Sequence, residues 1–248
     1  MSNVKETLIR EHFGELVQIH PGLTLCEDAP GRWVVRGLLS FESTFNETMI
    51  KDTFSILMKL PKNYPNSPPA VEETGGRIPP DFHQYRDRRL CLAAPVEVYR
   101  RFRAAPRLLP FVQTLLVQYL FGFAHLERFG KLPFGELSHG DQGVREYYQD
   151  AFNTEDVEGV LALLKIMADD TYRGHHVCPC GSGSILRKCH GPKLLSLLES
   201  QSKNRFLCDA ESVLYSLGKD NLDNFNWRLL PKALRRKFDV MAREEAKG

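Results

Sequence analysis

The sequence predicts an α+β protein, and three observations carry that reading: helical spacing at the N-terminus, period-two spacing after it, and helical spacing again beyond a long unpatterned stretch. Residues 3–19 place Val4, Leu8, Phe13, Leu16 and Val17 at helical intervals, with Ser2 available as an N-cap. A short strand follows at residues 23–26. After the Pro30-Gly31 turn, Trp33, Val35, Gly37, Leu39 and Phe41 alternate with other residues, and Phe54, Ile56, Met58 and Leu60 alternate again after Asn46-Glu47. These segments read as an antiparallel meander. Pro61, Pro65, Pro68 and Pro69 then exclude a central strand or a helix interior, and residues 70–73 form a last short strand. Residues 75–106 show no sustained period, and a loop of that length inside a compact domain usually carries function. Helical spacing returns at 108–129 and at 157–167. Residues 193–248 read as short charged helices, with Lys232, Arg235, Arg236, Lys237 and Arg243 on a solvated face.

At 248 residues the chain can bury one substantial core and carry small additions. Its composition, 42% hydrophobic and 26% charged without repeats or low-complexity tracts, is that of an ordered chain. A net charge of +2 gives the whole molecule little field, so neither nucleic acid nor an anionic membrane is expected as a main partner. Cys26, Cys91 and Cys208 stand apart while Cys178, Cys180 and Cys189 cluster, which is poor material for a disulfide framework. The charged N-terminus, MSNVKETLIREHF, lacks the apolar stretch of a signal peptide. A cytoplasmic location with reduced thiols is the expectation. Residues 108–124 contain no charge, yet they are short for a membrane span, which takes about 20 apolar residues, and they include Pro110, Gln113 and Gln118. A buried core helix fits them better.

The clustered cysteines carry the strongest chemical signal. Cys178-Pro-Cys180 followed after eight residues by Cys189-His190 supplies three thiolates and an imidazole, the ligand set of a tetrahedral Zn²⁺ ion. Gly181-Ser182-Gly183-Ser184 lets the backbone turn tightly around the ion, and His175 or His176 are the alternatives to His190 as fourth ligand. With all four positions filled by protein, such a zinc is structural. The segment CPCGSGSILRKCHG closely resembles the SEC-C motif, which implies a small docking module whose arch, Ser182, Ile185, Leu186, Arg187 and Lys188, meets a partner.

Cys91 is the candidate nucleophile. It lies in the long loop within Arg88-Arg89-Leu90-Cys91-Leu92, and nearby cations are expected to lower its pKa. On those residues alone an inert packed cysteine is the commoner case. The order of surrounding pieces resembles the core of ubiquitin-conjugating enzymes: Phe54-Ser55-Ile56-Leu57-Met58, then Tyr64-Pro65-Asn66-Ser67-Pro68-Pro69, His83, Leu90-Cys91-Leu92 and the helix from Leu108. The resemblance implies a bacterial ubiquitin-conjugating-enzyme-like domain over residues 1–170, followed by the SEC-C zinc knuckle over 171–192 and a helical tail over 193–248. It also implies that Cys91 carries a modifier's C-terminus as a thioester and passes it to an amine, in a conjugation or antiphage defence system. The partners implied are a ubiquitin-like modifier, a ubiquitin-activating-enzyme-like protein and, as a target, a nucleotidyltransferase. The family's His-Pro-Asn triplet is replaced by His83-Gln84-Tyr85, so the Gln84 amide or the Tyr85 hydroxyl would take over oxyanion stabilisation and His83 would act or pack beside them. The same departure supports the alternative of an inactive adaptor of the same fold, docking through the zinc knuckle. Glu97 with Arg100, Arg101, Arg103 and Arg107 reads as a loop that docks an acidic partner or is simply solvated.

Overall fold

The computed structural model describes residues 2–85, 87–133, 140–218 and 225–245. Its contacts divide the chain into two units, Met1–Leu137 and Ser138–Gly248.

The first unit turns the period-two segments into a four-stranded antiparallel sheet in the order β1 (Leu23–Ala29), β2 (Arg32–Phe45), β3 (Thr48–Lys59), β4 (Ala70–Glu73). β2 and β3 pair without a break from Val34 opposite Lys59 to Phe45 opposite Thr48. Their hairpin closes on Asn46 and Glu47, both at positive φ (44° and 65°), the left-handed pair that matches strand twist in two-residue turns. Val35, Leu39 and Phe41 of β2 and Ile50, Phe54, Ile56 and Met58 of β3 fall on the buried face, as alternation requires.

Helix α1 (Ser2–Ile19) buries Ile9, His12 and Leu16, spaced by three and four residues. Val4, expected on the core face, is 78% exposed. Leu16 is buried and Phe13 packs against the core as the spacing predicts, and a histidine joins them on the inner face: His12 Nδ1 lies 2.7 Å from the Tyr64 hydroxyl, so each buried polar group satisfies the other.

Asp52 shares the buried face of β3 with the apolar residues and pairs opposite Phe41. A charge there needs compensation, and Arg77 supplies it with two bonds, Nη1 to Oδ1 at 2.7 Å and Nη2 to Oδ2 at 2.9 Å. The same guanidinium binds Glu127 and lies 4.4 Å over the Phe54 ring, while Arg128 donates to Asp52 at 3.0 Å. The buried Glu73 carboxylate accepts the backbone N–H groups of Gly75 (2.6 Å) and Arg77 (3.0 Å), which fixes the turn after β4.

Beyond the loop the expected unpatterned stretch contains a helix, α2 (Pro95–Ala104), with Pro95 at its first position. Only Val96 and Phe102 are buried on it, too few to give a visible period. Glu97, Arg100 and Arg101 lie on it as neighbours in ion pairs (2.6–2.7 Å) and not in a loop. The helix over Leu108–Phe129 is long and apolar enough to cross a membrane, but 67% of its apolar window is buried in the protein core. It runs as α3 (Leu108–Phe111), a π-helical turn (Val112–Leu116) and α4 (Val117–Phe129).

The second unit is helical: α5 (Gly140–Phe152), α6 (Val157–Ala168), α7 (Gly191–Ser200), α8 (Lys203–Tyr215) and α9 (Lys232–Glu245). α6 starts where Asp156 accepts the N–H groups of Glu158 and Gly159, and it packs on α8 and α5. Val160, Leu161, Leu163 and Leu164 are all fully buried, so α6 is its central helix. α5 and α6 both lie in the second unit, Ser138–Gly248.

Because Asp52 sits almost wholly inside, Arg77→Met takes away its bidentate partner and leaves it only the single Arg128 bond and the Thr53 N–H. We expect a loss of about 3 kcal/mol in urea denaturation. Hydrogen bonding to Arg77 holds the Asp52 carboxyl below its ordinary value of 3.8. The wild type should keep this contribution at neutral pH and lose it as pH falls through that lowered pKa, whereas the variant lacks it throughout.

Candidate metal centre and active site

Residues 174–190 fold into a small loop clasp. Val177 and Ile185 form a β-bridge, Cys178 N–H donates to Ser184 (2.8 Å) and Leu186 N–H to His176 (2.8 Å), so the chain doubles back through Gly181-Ser182-Gly183. Gly181 and Gly183 take φ of 78° and 72°, a region that glycine enters without cost. The returning strand ends in a 3₁₀ turn, Leu186–Lys188, and then Cys189 and His190 lead into α7. Gly191 must be glycine for room: a Cβ there would stand 2.6 Å from the Tyr172 hydroxyl and 2.7 Å from the Leu186 carbonyl.

This path brings Cys178, Cys180, Cys189 and His190 together with all ligand atoms within 4.8 Å of one another, so they can hold one metal ion. Cys178 Sγ and Cys189 Sγ lie 3.2 and 3.3 Å from His190 Nδ1, and Cys180 Sγ lies 3.5 Å from Cys189 Sγ. His190 Nε2 is 2.7 Å from the Phe152 carbonyl at the end of α5. A carbonyl only accepts, so Nε2 carries the proton and the Nδ1 lone pair faces the three sulfurs, the tautomer a metal needs. His175 and His176, the alternative fourth ligands, are exposed and meet edge to face at 4.7 Å. Leu186 was expected on the exposed arch; it is 1% exposed and anchors the clasp, leaving Ser182, Arg187 and Lys188 outside. Ser182 also turns its hydroxyl to the Cys180 sulfur at 3.2 Å.

Cys91 is reached by a different construction. Leu90 N–H donates to Val71 of β4 (2.8 Å), and bridges pair Glu72 with Arg89 and Gln84 with Leu90. The segment before Cys91 therefore lies along the outer edge of β4. Cys91 N–H then donates to the His83 carbonyl (2.7 Å), and the Tyr119 hydroxyl of α4 lies 3.1 Å from the Phe82 carbonyl and 3.3 Å from that of His83. Tyr119 thus ties down the backbone that holds Cys91.

The side chains near Cys91 divide sharply. Tyr85 places its hydroxyl 3.6 Å from Sγ, within range to donate to a thiolate. Gln84 spends its amide on the carbonyls of Ile78 (3.2 Å) and Pro79 (3.3 Å). His83, at φ 46°, packs its ring on Phe82 at 4.1 Å and edge-on to Tyr119 at 6.3 Å. The arginines do not act as the sequence suggested. Arg89 turns to Asp87 (2.6 Å) and over the Tyr85 ring (5.1 Å), and Arg88 is exposed. Burial therefore pushes the Cys91 thiol up, and the Tyr85 hydroxyl offsets this only in part.

Two contributors escaped sequence reasoning. Tyr119 sat inside an apolar run read as core, where only its polar tip could have flagged it. The Phe152 carbonyl is backbone and leaves no residue signal at all. No protein-family model, no curated protein and no solved structure matches the chain.

Elemental analysis of purified protein should give one equivalent of a divalent metal. Cys189→Ser and His190→Ala should lose most of it, and His175→Ala with His176→Ala should keep it. For Cys91, iodoacetamide at neutral pH should label the thiol more slowly than the exposed Cys208, and Tyr85→Phe, which removes the one group favouring the thiolate, should slow it further by a factor of about 3. Peptide mass spectrometry over a time course reads both rates.

Proposed function

We propose that this chain is a ubiquitin-conjugating-enzyme-like protein that carries the C-terminus of a ubiquitin-like modifier as a thioester on Cys91, with a structural zinc ion on Cys178, Cys180, Cys189 and His190. The observation that carries the reading is the position of Cys91. It follows a helix and a four-stranded antiparallel meander, sits directly after a segment paired to the edge of β4, and precedes two helices. That is the order of pieces in the family the sequence resembles, including Tyr64-Pro65-Asn66-Ser67-Pro68-Pro69 with Tyr64 buried against Phe102.

The chemistry needs little from the protein. Cys91 thiolate attacks the carbonyl of a thioester on an activating protein; a new C–S bond forms and the donor's thiolate leaves. An amine then attacks the same carbonyl, a C–N bond forms, the Cys91 C–S bond breaks and the amine proton passes to the departing thiolate or to solvent. A raised thiol pKa slows loading through a smaller thiolate fraction, but it also makes Cys91 the poorer leaving group and so the better store. We assign Tyr85, with its hydroxyl 3.6 Å from Sγ, to the developing oxyanion, and His83 to loop packing.

Zinc suits the second site on dimensions. Zn–S and Zn–N bonds of about 2.3 and 2.0 Å at tetrahedral angles separate ligand atoms by about 3.5–3.8 Å. In the clasp the Cys178–His190, Cys189–His190 and Cys180–Cys189 pairs stand at 3.2–3.5 Å and all four ligand atoms lie within 4.8 Å of one another, so small shifts reach those separations. Four protein ligands leave no position for substrate, so the ion would hold a docking module and take no part in the reaction. Both sites need reduced cysteines, which fits a cytoplasmic setting. The partners of this reading are a modifier, its activating protein and a target amine, with a nucleotidyltransferase as the target class in a defence system.

A second reading, an inactive adaptor of the same fold, draws on two observations: the engaged Gln84 amide and the raised Cys91 thiol. One experiment separates them. Incubation with ATP, an activating protein and its ubiquitin-like modifier should give an adduct that reductant releases. Cys91→Ala should abolish it, and Cys91→Ser should abolish it or yield a reductant-stable ester. Absence of any adduct across modifier pairings would favour the adaptor.

A further inference from the structure

The charged C-terminal helix, read from sequence as a solvated face, lines a cleft. Lys232, Arg235, Arg236 and Asp239 fall at i, i+3, i+4 and i+7 on α9 and so share one side of it. They meet Trp227 and Arg228, from the turn before α9, around a cleft of about 410 Å³. That volume lies in the range of about 300–1,000 Å³ typical of small-ligand sites.

The charge in this cleft is unbalanced. Four cations face one carboxylate, and none of the four has an ion pair among the described residues. Arg235 Nε is buried with no hydrogen-bond partner there. Lys165 of α6, bonded to the Arg228 carbonyl, adds a fifth cation nearby, and the Asp169 carboxylate, which accepts the Lys232 backbone N–H (3.0 Å), adds a second anion. Cations at i, i+3 and i+4 repel along a helix, and Asp239 and Asp169 offset this only in part, so a bound anion stabilises the arrangement. Trp227 provides the other half of a site. Its ring is held by Phe225 (5.5 Å) and Phe238 (5.4 Å), yet remains 39% exposed.

We propose that this cleft binds a nucleoside di- or triphosphate, the phosphates on Arg228, Lys232, Arg235 and Arg236 and the base against Trp227. Clustering of the cations around one open cleft favours a compact polyphosphate over a strand, whose charges are strung out along a groove. Guanidinium groups suit the bidentate geometry of phosphate oxygens, and a fixed aromatic face suits a base. The proposal is independent of the chemistry at Cys91.

The chain has two tryptophans, so Trp33→Phe leaves Trp227 as the sole reporter in the full-length, metal-loaded protein. Titration with ADP and ATP should quench its emission saturably, and adenosine should not. Calorimetry should find inorganic pyrophosphate weaker than ADP. Arg228→Gln with Arg236→Gln, both at exposed positions, should leave the circular dichroism unchanged and weaken ADP by about tenfold or more. The proposal fails if no nucleotide gives saturation, if pyrophosphate binds as tightly as ADP, or if the double variant binds like the parent. Tighter binding of a short single-stranded oligonucleotide at equal phosphate concentration overturns it in favour of a nucleic-acid surface.

Discussion

Three sulfurs and an imidazole nitrogen held within 4.8 Å of each other impose a single constraint on the second unit. The sulfurs can all be thiolates only if a cation neutralises them, and otherwise protons must take its place. Every local feature answers to that requirement. The glycines at positive φ bend the chain so that Cys178 and Cys180 approach from one side, and the close passage of Gly191 under Tyr172 brings Cys189 and His190 from the other. Three thiolates around a divalent ion would retain one net negative charge, and that charge would lie where α7 begins, at the positive end of the helix dipole. The Phe152 carbonyl extends the same chain of dependence to α5 through the imidazole. A metal bound here would thus tie the Cys178–Cys180 turn, the Cys189-His190 segment and, through the imidazole, the end of α5.

Polar groups organise the first unit's long loop in much the same way. The Asp52–Arg77 pair fixes where the loop leaves the sheet, the Glu73 carboxylate shapes its first turn, and the Tyr119 hydroxyl catches it again beneath Cys91. Asp52, Glu73 and Tyr119 are each at most 10% exposed, so their bonds form where water competes least. The cysteine's surroundings are correspondingly rigid in design and apolar in character. That combination explains a thiol raised above its ordinary value despite the arginines nearby in sequence.

Much of this was legible in the residues. Alternation in β2 and β3 is a direct imprint of a one-sided sheet, and ligand spacing at 178, 180, 189 and 190 reflects a four-cornered site that few other arrangements produce. Other features were hidden for physical reasons. α2 buries two side chains and α5 is rich in polar ones, so neither showed an apolar period. His12 replaces a hydrophobe inside α1, a substitution visible only once Tyr64 is seen to face it. Proximity of Arg88 and Arg89 to Cys91 in sequence proved uninformative because one side chain is turned to Asp87 and the other to solvent. The basic tail lost its meaning when read alone, since Trp227 and Arg228 come from outside the helix that carries the other charges.

The π-helical turn at Val112–Leu116 has a geometrical effect on everything after it. Such a turn accommodates one residue more than an α-turn, and one residue in an α-helix corresponds to about 100° of azimuth. Residues on either side of it, Leu108 and Phe111 before and Leu120 and Phe123 after, nonetheless all reach the same core. The extra residue resets the phase of α4 relative to α3, while Tyr119 to His125 are buried without a break, so burial alone does not set that phase. Tyr119 inherits its direction from that reset. A phenol that an unbroken helix would have swung toward another quadrant is thereby aimed at the carbonyls of Phe82 and His83, so the hold on Cys91 is a matter of helical phase as much as of residue identity.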